Sequence, residues 1–302
     1  MESKKESPSE LKVLLAAIIG HTFWGFSFMA SRVALNVANM FVLLSHRFIL
    51  AFLVMSLMIL FKVVKYDIKG KKFWPLILLG LMEPVVYFFG ELIGIEHSNT
   101  IFSGVMIAMI PIVSTLAALP LLKEKPAIGQ LVFGTISVLG VIGIGLMSKS
   151  SGQLEFIGVI ALIIAVLAAV VYTLLSRGLS GEFSPFERTY SMMAMGAIIF
   201  SGCALVYCRN DASLYIKPLS DSGYLIAILF LGLCCSVGSY FLSAYALTYM
   251  TVARETVFAN LTTAVSVFAG AIFLHEPFSL LGVLFCIMIL VGIYGVQREA
   301  KE

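Results

Sequence analysis

The sequence predicts an all-α integral membrane protein: ten transmembrane helices arranged as two inverted five-helix repeats. Three observations carry that prediction. Of the 302 residues, 60% are hydrophobic and only 12% charged, with a mean hydropathy of +1.02. A soluble domain holds about 45–50% apolar and about 25% charged residues. Apolar runs of about 20 residues, the length that crosses a hydrocarbon core of about 30 Å, recur ten times between short polar connections. Finally, the chain resembles itself at a constant offset of 152 residues.

The polar N-terminus, "MESKKESPSE", is mixed in charge. The first apolar run (11–31) is followed by "SRVALNVAN" rather than a small-residue cleavage site, so it reads as an uncleaved first helix. It places His21, Trp24, Phe28 and Ser31 on one face, at i, i+3, i+7 and i+10. The second segment (41–61) holds Arg47. After the polar connection "KVVKYDIKGKK" (62–72), the third (74–95) carries Glu83, Tyr87 and Glu91 at i, i+4 and i+8. The fourth (99–120) contains Pro111, which removes one backbone bond and predicts a kink. That bend serves either packing or the shape of a cavity or hinge. Glu124, in "LLKEKPA", precedes the fifth segment (127–147); with Pro126 in the first turn, it reads as an N-terminal cap.

The sixth segment (155–176) and the seventh (186–208) follow. A connection, "CRNDASLYIKPLSDSG" (208–223), then leads to the eighth (223–247), which carries a stripe of Cys235, Ser239 and Ser243. On the ninth (253–274), Thr256, Asn260 and Thr263 share a face. Glu276 and Pro277, in "FLHEPFS", repeat the capping arrangement before the tenth (278–297). All five cysteines fall in apolar segments without a C-x-x-C pair and read as small, reduced hydrophobes.

Positive charge orients the chain. With the N-terminus in the cytoplasm and ten crossings, 15 Lys and Arg fall inside and four outside (Arg32, Lys149, Arg209, Lys217), Arg47 being embedded. The positive-inside rule then places both termini in the cytoplasm, in the inner membrane. At offset 152 the third to fifth segments align with the eighth to tenth without a gap, pairing Gly80 with Gly232, Glu124 with Glu276, Gly140 with Gly292 and Gly143 with Gly295. The repeats are therefore residues 1–149 and 150–302. Five helices per copy is odd, so the second copy is inverted, a common construction of secondary transporters with a midplane site.

The stretches "LLSHRFILAFLVM" (43–55), "MIPIVSTLAALPLLKEKPAIGQLVFGTISVLGVIGI" (109–144) and "LHEPFSLLGVLFCIMILVGIYGV" (274–296) resemble the EamA-type drug/metabolite transporters. The resemblance covers nearly the whole chain. It implies two five-helix EamA repeats and an exporter or facilitator of amino acids, metabolites or toxic compounds, without fixing cargo or direction.

Polar side chains inside a bundle face protein or a water-filled path. The candidates for contact with a small-molecule substrate or with protons are Glu83, Tyr87, His21, Trp24, Asn260, Thr256 and Ser243. The other reading is that the hydroxyls and small residues only join helices; for His21 and Asn260 both readings stand. Arg47 lies about 9 Å, and Glu91 about 6 Å, below the outer ends of their helices at 1.5 Å per residue. At such similar depths they are expected to form a structural ion pair. Glu83, near the middle, has no basic neighbour at its depth except His21. A central acid costs about 2.5–3.5 kcal/mol on insertion scales, so Glu83 is either protonated or in a wet cavity, as the proton-carrying or substrate-amine-binding group.

Neither a phosphate-binding G-x-x-x-x-G-K-[ST] loop nor an H-E-x-x-H or G-x-S-x-G motif is present, which argues against a pump or an enzyme. No cofactor, metal or nucleic acid is expected. Phosphorylated cargo calls for several embedded cations, and only Arg47 is clearly embedded. Aromatic and acidic stripes suit neutral, zwitterionic or cationic amphipathic molecules. The reading is a secondary transporter exporting small metabolites such as amino acids by alternating access, with protons as a candidate coupling ion. A multidrug or quaternary-amine exporter is the alternative, and a non-transport membrane enzyme or receptor the remote one.

Overall fold

The computed structural model describes residues 8–97, 106–147, 155–273 and 280–300, and no strand occurs among them. With no water in the hydrocarbon to satisfy backbone groups, helices are the form these apolar runs must take. They are α1 (Glu10–Leu35), α2 (Met40–Leu60), α3 (Trp74–Ile95), α4 (Met106–Leu122), α5 (Ile128–Met147), α6 (Phe156–Gly178), α7 (Pro185–Tyr207), α8 (Ser222–Tyr249), α9 in two pieces (Val252–Thr256 and Ala259–Phe273) and α10 (Leu280–Glu299). Eight of these are long and apolar enough to cross a membrane; α4 is shorter, and α9 is divided.

Local sequence sets the helix ends. Asn39 caps α2 by accepting from Phe41 N, and Asp221 caps α8 by accepting from Tyr224 N at 2.7 Å. At α7, Ser184 and Glu187 form a reciprocal capping box with Pro185 in the first turn. The regular pitch of α3 fails at Leu81–Val86, where Glu83 adopts extended backbone angles (φ −140°, ψ 123°) beside Pro84. α8 widens over Phe230–Ser239. These two stretches are equivalent at offset 152, so both helices loosen at the same level. The ladder of α4 is interrupted at Met109, two residues before Pro111.

Helix neighbours follow a paired scheme. α5 lies against α10 and α2 against α7; α3 and α4 both lie against α6, while α8 and α9 both lie against α1. Exchanging the first five helices for the second five maps these pairings onto themselves. The α5–α10 seam shows why. Ser137 Oγ donates to the Ile289 carbonyl at 3.3 Å, and those two residues are themselves 152 apart. Gly140 lies against Ile289 and Phe285, and Gly292 against Ser137 and Phe133, their equivalents. Lipid gives apolar helices little reason to associate, so close backbone approach and dispersion must hold this seam. Glycine permits that approach.

At the end of the bundle where α8 meets α9, two arginines fasten the chain. The last four carbonyls of a helix have no partner within it. Two of those of α8 receive Arg177 Nη1 from α6 (Leu247 O at 3.0 Å, Thr248 O at 2.9 Å), and a turn earlier the Ala244 carbonyl accepts from Arg188 Nη2 of α7 at 2.8 Å. Arg188, 0% exposed, also donates to Thr248 Oγ1 and to both Ser176 oxygens. Arg177 Nε bonds Glu124 Oε1 at 2.8 Å, and Glu124 Oε2 accepts from Val252 N at 2.8 Å. Glu124 thus caps α9 rather than the following helix. The reason is that the folded chain brings the start of α9 to its carboxylate, while Gln130 accepts from Ala127 N at the head of α5. Glu276 and Pro277 lie outside the described residues.

A β-carbon at position 292 would stand 2.6 Å from the Phe133 carbonyl oxygen, whereas one at Gly134 meets nothing closer than Val296 at 4.0 Å. Gly292→Ala should therefore cost about 1–3 kcal/mol and Gly134→Ala almost nothing. Thermal unfolding in detergent micelles compares the two. By the same measurement, Arg188→Ala leaves buried acceptors unsatisfied and should destabilise by about 3 kcal/mol or more, exceeding the effect of Arg177→Ala, whose side chain is partly exposed.

Candidate functional site

The loosened stretches of α3 and α8 face each other across a polar, aromatic cluster. Tyr240, on α8, donates its hydroxyl to Glu83 Oε1 at 3.0 Å. Its ring meets Trp24 of α1 edge-on at 5.0 Å and Tyr172 of α6 at 6.3 Å. Trp24 donates Nε1–H to the Cys235 carbonyl at 3.2 Å, and its ring stands 5.0 Å from the imidazole of His21. His21 Nε2 lies 3.3 Å from Glu255 Oε1, the same oxygen that accepts from Ser243 Oγ at 2.6 Å. One continuous chain of contacts thus links two carboxylates, Glu83 and Glu255, through Tyr240, Trp24 and His21. Among the described residues, no lysine or arginine forms an ion pair with either carboxylate.

The two ends of this chain differ in access. His21, Ser243 and Glu255 are each 3% exposed, whereas Glu83 and Trp24 are only half-buried. Tyr87 and Glu91 continue along α3 from Glu83, also half-buried, with the Tyr87 hydroxyl donating to Glu91 Oε1 at 3.0 Å. A hydroxyl-bonded carboxylate flanked by aromatic edges and faces can take a proton or an organic cation.

Sequence-predicted residues divide between this cluster and the packing. His21, Trp24, Glu83 and Ser243 come together, with Tyr87 and Glu91 adjoining. Asn260 donates Nδ2–H to Ser137 Oγ at 3.0 Å, and so joins α9 to α5. Thr256 bonds the Val252 carbonyl of its own helix at 2.8 Å. Phe28, 59% exposed, leaves the stripe it was predicted to share with Trp24. Pro111 lines a separate cleft of about 240 Å³ with Thr115 and Gln130.

The predicted Arg47–Glu91 ion pair does not form. Arg47 Nε donates to Ser236 Oγ on α8 at 2.7 Å, and the guanidinium stands 5.4 Å from the ring of Phe48 and 5.5 Å from that of Phe88. Equal depth does not fix which faces meet. α2 packs on α7 and reaches α8, and it meets α3 through an aromatic ring rather than a carboxylate. Arg47 is also not alone: Arg188 is fully buried, although its Nη groups are taken up by carbonyls and hydroxyls of α6 and α8.

Glu255 escaped the sequence reading, as did Tyr240 and Tyr172. Glu255 follows Arg254 near the start of the ninth segment, where a carboxylate reads as a solvated helix end. One helical step separates the pair: Arg254 turns outward to Gln297 and Glu10, and Glu255 turns inward. An opposite-facing Arg–Glu pair at the head of an apolar helix was the available sign.

Two stretches of the chain, residues 11–146 and 156–298, match the model of the EamA-like transporter family. The chain is 30% identical over 293 residues to an uncharacterized transporter of Bacillus subtilis (strain 168), YcxC, covering 95% of this chain and 93% of that protein. It is 27% identical over 279 residues to an uncharacterized transporter of Archaeoglobus fulgidus, covering 92% and 96%. A solved crystal structure superposes with a TM-score of 0.79 over 97% of this chain and 99% of its own at 14% identity, which shows a shared fold. Apolar helices long enough to cross a bilayer and a family match over both halves lead to one conclusion: this multi-pass membrane protein belongs to the EamA-like transporter family.

Proposed function

We propose that the protein is a secondary transporter exporting small amine-bearing metabolites, amino acids or related amphipathic compounds, across the cytoplasmic membrane by alternating access in exchange for protons. Ten crossings form two inverted repeats, 1–149 and 150–302, and both termini are cytoplasmic. The exchange symmetry of the helix pairings supports the repeat. α4 and α9 complete the ten by adding shorter or divided helices to the eight long ones. The positive-inside bias supports the orientation.

One observation carries the substrate class: two carboxylates share an aromatic cluster in which, among the described residues, no lysine or arginine pairs with either. Glu83 is the more accessible, and its unused carboxylate oxygen and the Trp24 face form a receptor for an ammonium. Phosphorylated cargo would find few donors among the described residues, since Arg188 is engaged in fastening α8 and Arg47 is bonded to Ser236 and flanked by the rings of Phe48 and Phe88. The same aromatic setting favours quaternary amines as a second reading, because a quaternary head can use ring faces without hydrogen bonds.

Thermal-shift measurements on the purified protein, against amino acids, other amines and tetraphenylphosphonium at two pH values, test both readings. Primary amines should stabilise the parent, and Glu83→Gln should weaken that binding about tenfold or more, about 1.4 kcal/mol. Stabilisation by tetraphenylphosphonium alone selects the quaternary-amine reading. Undiminished amine binding by Glu83→Gln removes Glu83 from the site.

A further inference from the structure

We propose that His21, Glu255 and Ser243 form a proton-binding site distinct from the substrate carboxylate Glu83, so that the two carboxylates divide the work of exchange. This rests on the transport reading and assigns its proton to named residues.

Geometry supports the division. Glu255 Oε1 is held between Ser243 Oγ at 2.6 Å and His21 Nε2 at 3.3 Å, and both His21 and Glu255 are excluded from solvent. Among the described residues, His21 Nδ1 is buried without a hydrogen-bond partner, and the polar contact of the imidazole is with Glu255. Phe258 stacks on the ring at 6.3 Å and Trp24 meets its edge, which fixes the imidazole against the carboxylate. The titratable groups within electrostatic range of this pair are Glu83 from α3 and Tyr172 from α6, while Tyr240 of α8 turns its hydroxyl to Glu83. Within α9, Arg254 faces away, toward Gln297 and Glu10.

A neutral imidazole and an ionised Glu255 carry one negative charge between them. The neutral ring already donates Nε2–H to Oε1, so uptake of one proton falls on the other ring nitrogen, Nδ1, and the imidazolium and carboxylate together are neutral. Release returns the proton to water and leaves the carboxylate with the Ser243 hydroxyl. Glu83 lies within electrostatic range, so an ammonium at Glu83 makes that release easier, and its departure makes uptake easier. Antagonism between the two cations is the requirement of exchange. The position of Glu255 adds a means of exposure: the break in α9 at residues 257–258 lies immediately beyond Thr256.

Trp24 reports on the site without any substrate. The chain has two tryptophans, and Trp74→Phe leaves Trp24 alone, beside His21. An imidazolium quenches a neighbouring indole. In the full-length Trp74→Phe protein in detergent, Trp24 emission should therefore change in one step as pH falls. His21→Gln should abolish the step, and Glu255→Gln should weaken proton binding tenfold or more. Ser243→Ala, which removes one donor to the carboxylate, should strengthen proton binding severalfold. It decides the matter alone if the Gln variants do not fold. Glu83→Gln should keep the step. A curve unchanged by both Glu255→Gln and Ser243→Ala overturns the assignment, as does a step that disappears only in Glu83→Gln. Failure of amine binding in the thermal-shift panel would leave the Trp24 titration intact, so the two readings fail separately.

Discussion

Charge held inside a low-dielectric bundle must be matched by hydrogen bonds, and in this protein most of those bonds converge on α8. Arg47 bonds Ser236, Arg188 bonds Ala244 and Thr248, and Arg177 bonds Leu247 and Thr248. Trp24 donates to Cys235, Tyr240 serves Glu83, and Ser243 serves Glu255. An unpaired buried charge costs several kcal/mol, so these contacts fix where α8 can sit. Its carbonyls are available for the purpose because the helix ends near Tyr249 and widens over Phe230–Ser239. Position, orientation and site geometry thus depend on one helix.

The α5–α10 seam plays the complementary part. It carries little polarity, with glycines and aromatics joined by the Ser137–Ile289 and Gln130–Val296 bonds, and its glycine contacts exchange under the 152-residue offset. Dispersion between closely approaching backbones is insensitive to charge, so this seam can persist while polar contacts elsewhere rearrange. The duplicated scaffold and the unduplicated acids fit together on this view. Glu83 and Glu91 have Cys235 and Ser243 as their equivalents, and the second copy instead supplies Tyr240 to Glu83 and Ser243 to its own Glu255.

Much of this was legible in order of residues. Apolar length gave the helices, because a segment without water must satisfy its own backbone. The i, i+4, i+8 spacing of Glu83, Tyr87 and Glu91 placed them on one face, and the Tyr87–Glu91 bond spans one such interval. His21 and Trp24 were legible on the same grounds. Glu255 was not, since a carboxylate beside an arginine at a helix head looks solvated until the neighbouring helices are known. Arg47 failed for a related reason: depth along a helix axis follows from sequence, whereas azimuth relative to another helix does not.

By itself the sequence determined the membrane class, the helical segments, the internal repeat and the presence of expensive acids in apolar surroundings. Those properties depend on local composition and on periodicities of a few residues. Only the tertiary structure decided that α2 meets α7, that Arg188 fastens α8, and that Glu255 joins His21 rather than water. Such pairings bring together groups separated by 12 to 234 residues. Their geometry comes from packing whole helices against one another, which no local pattern encodes.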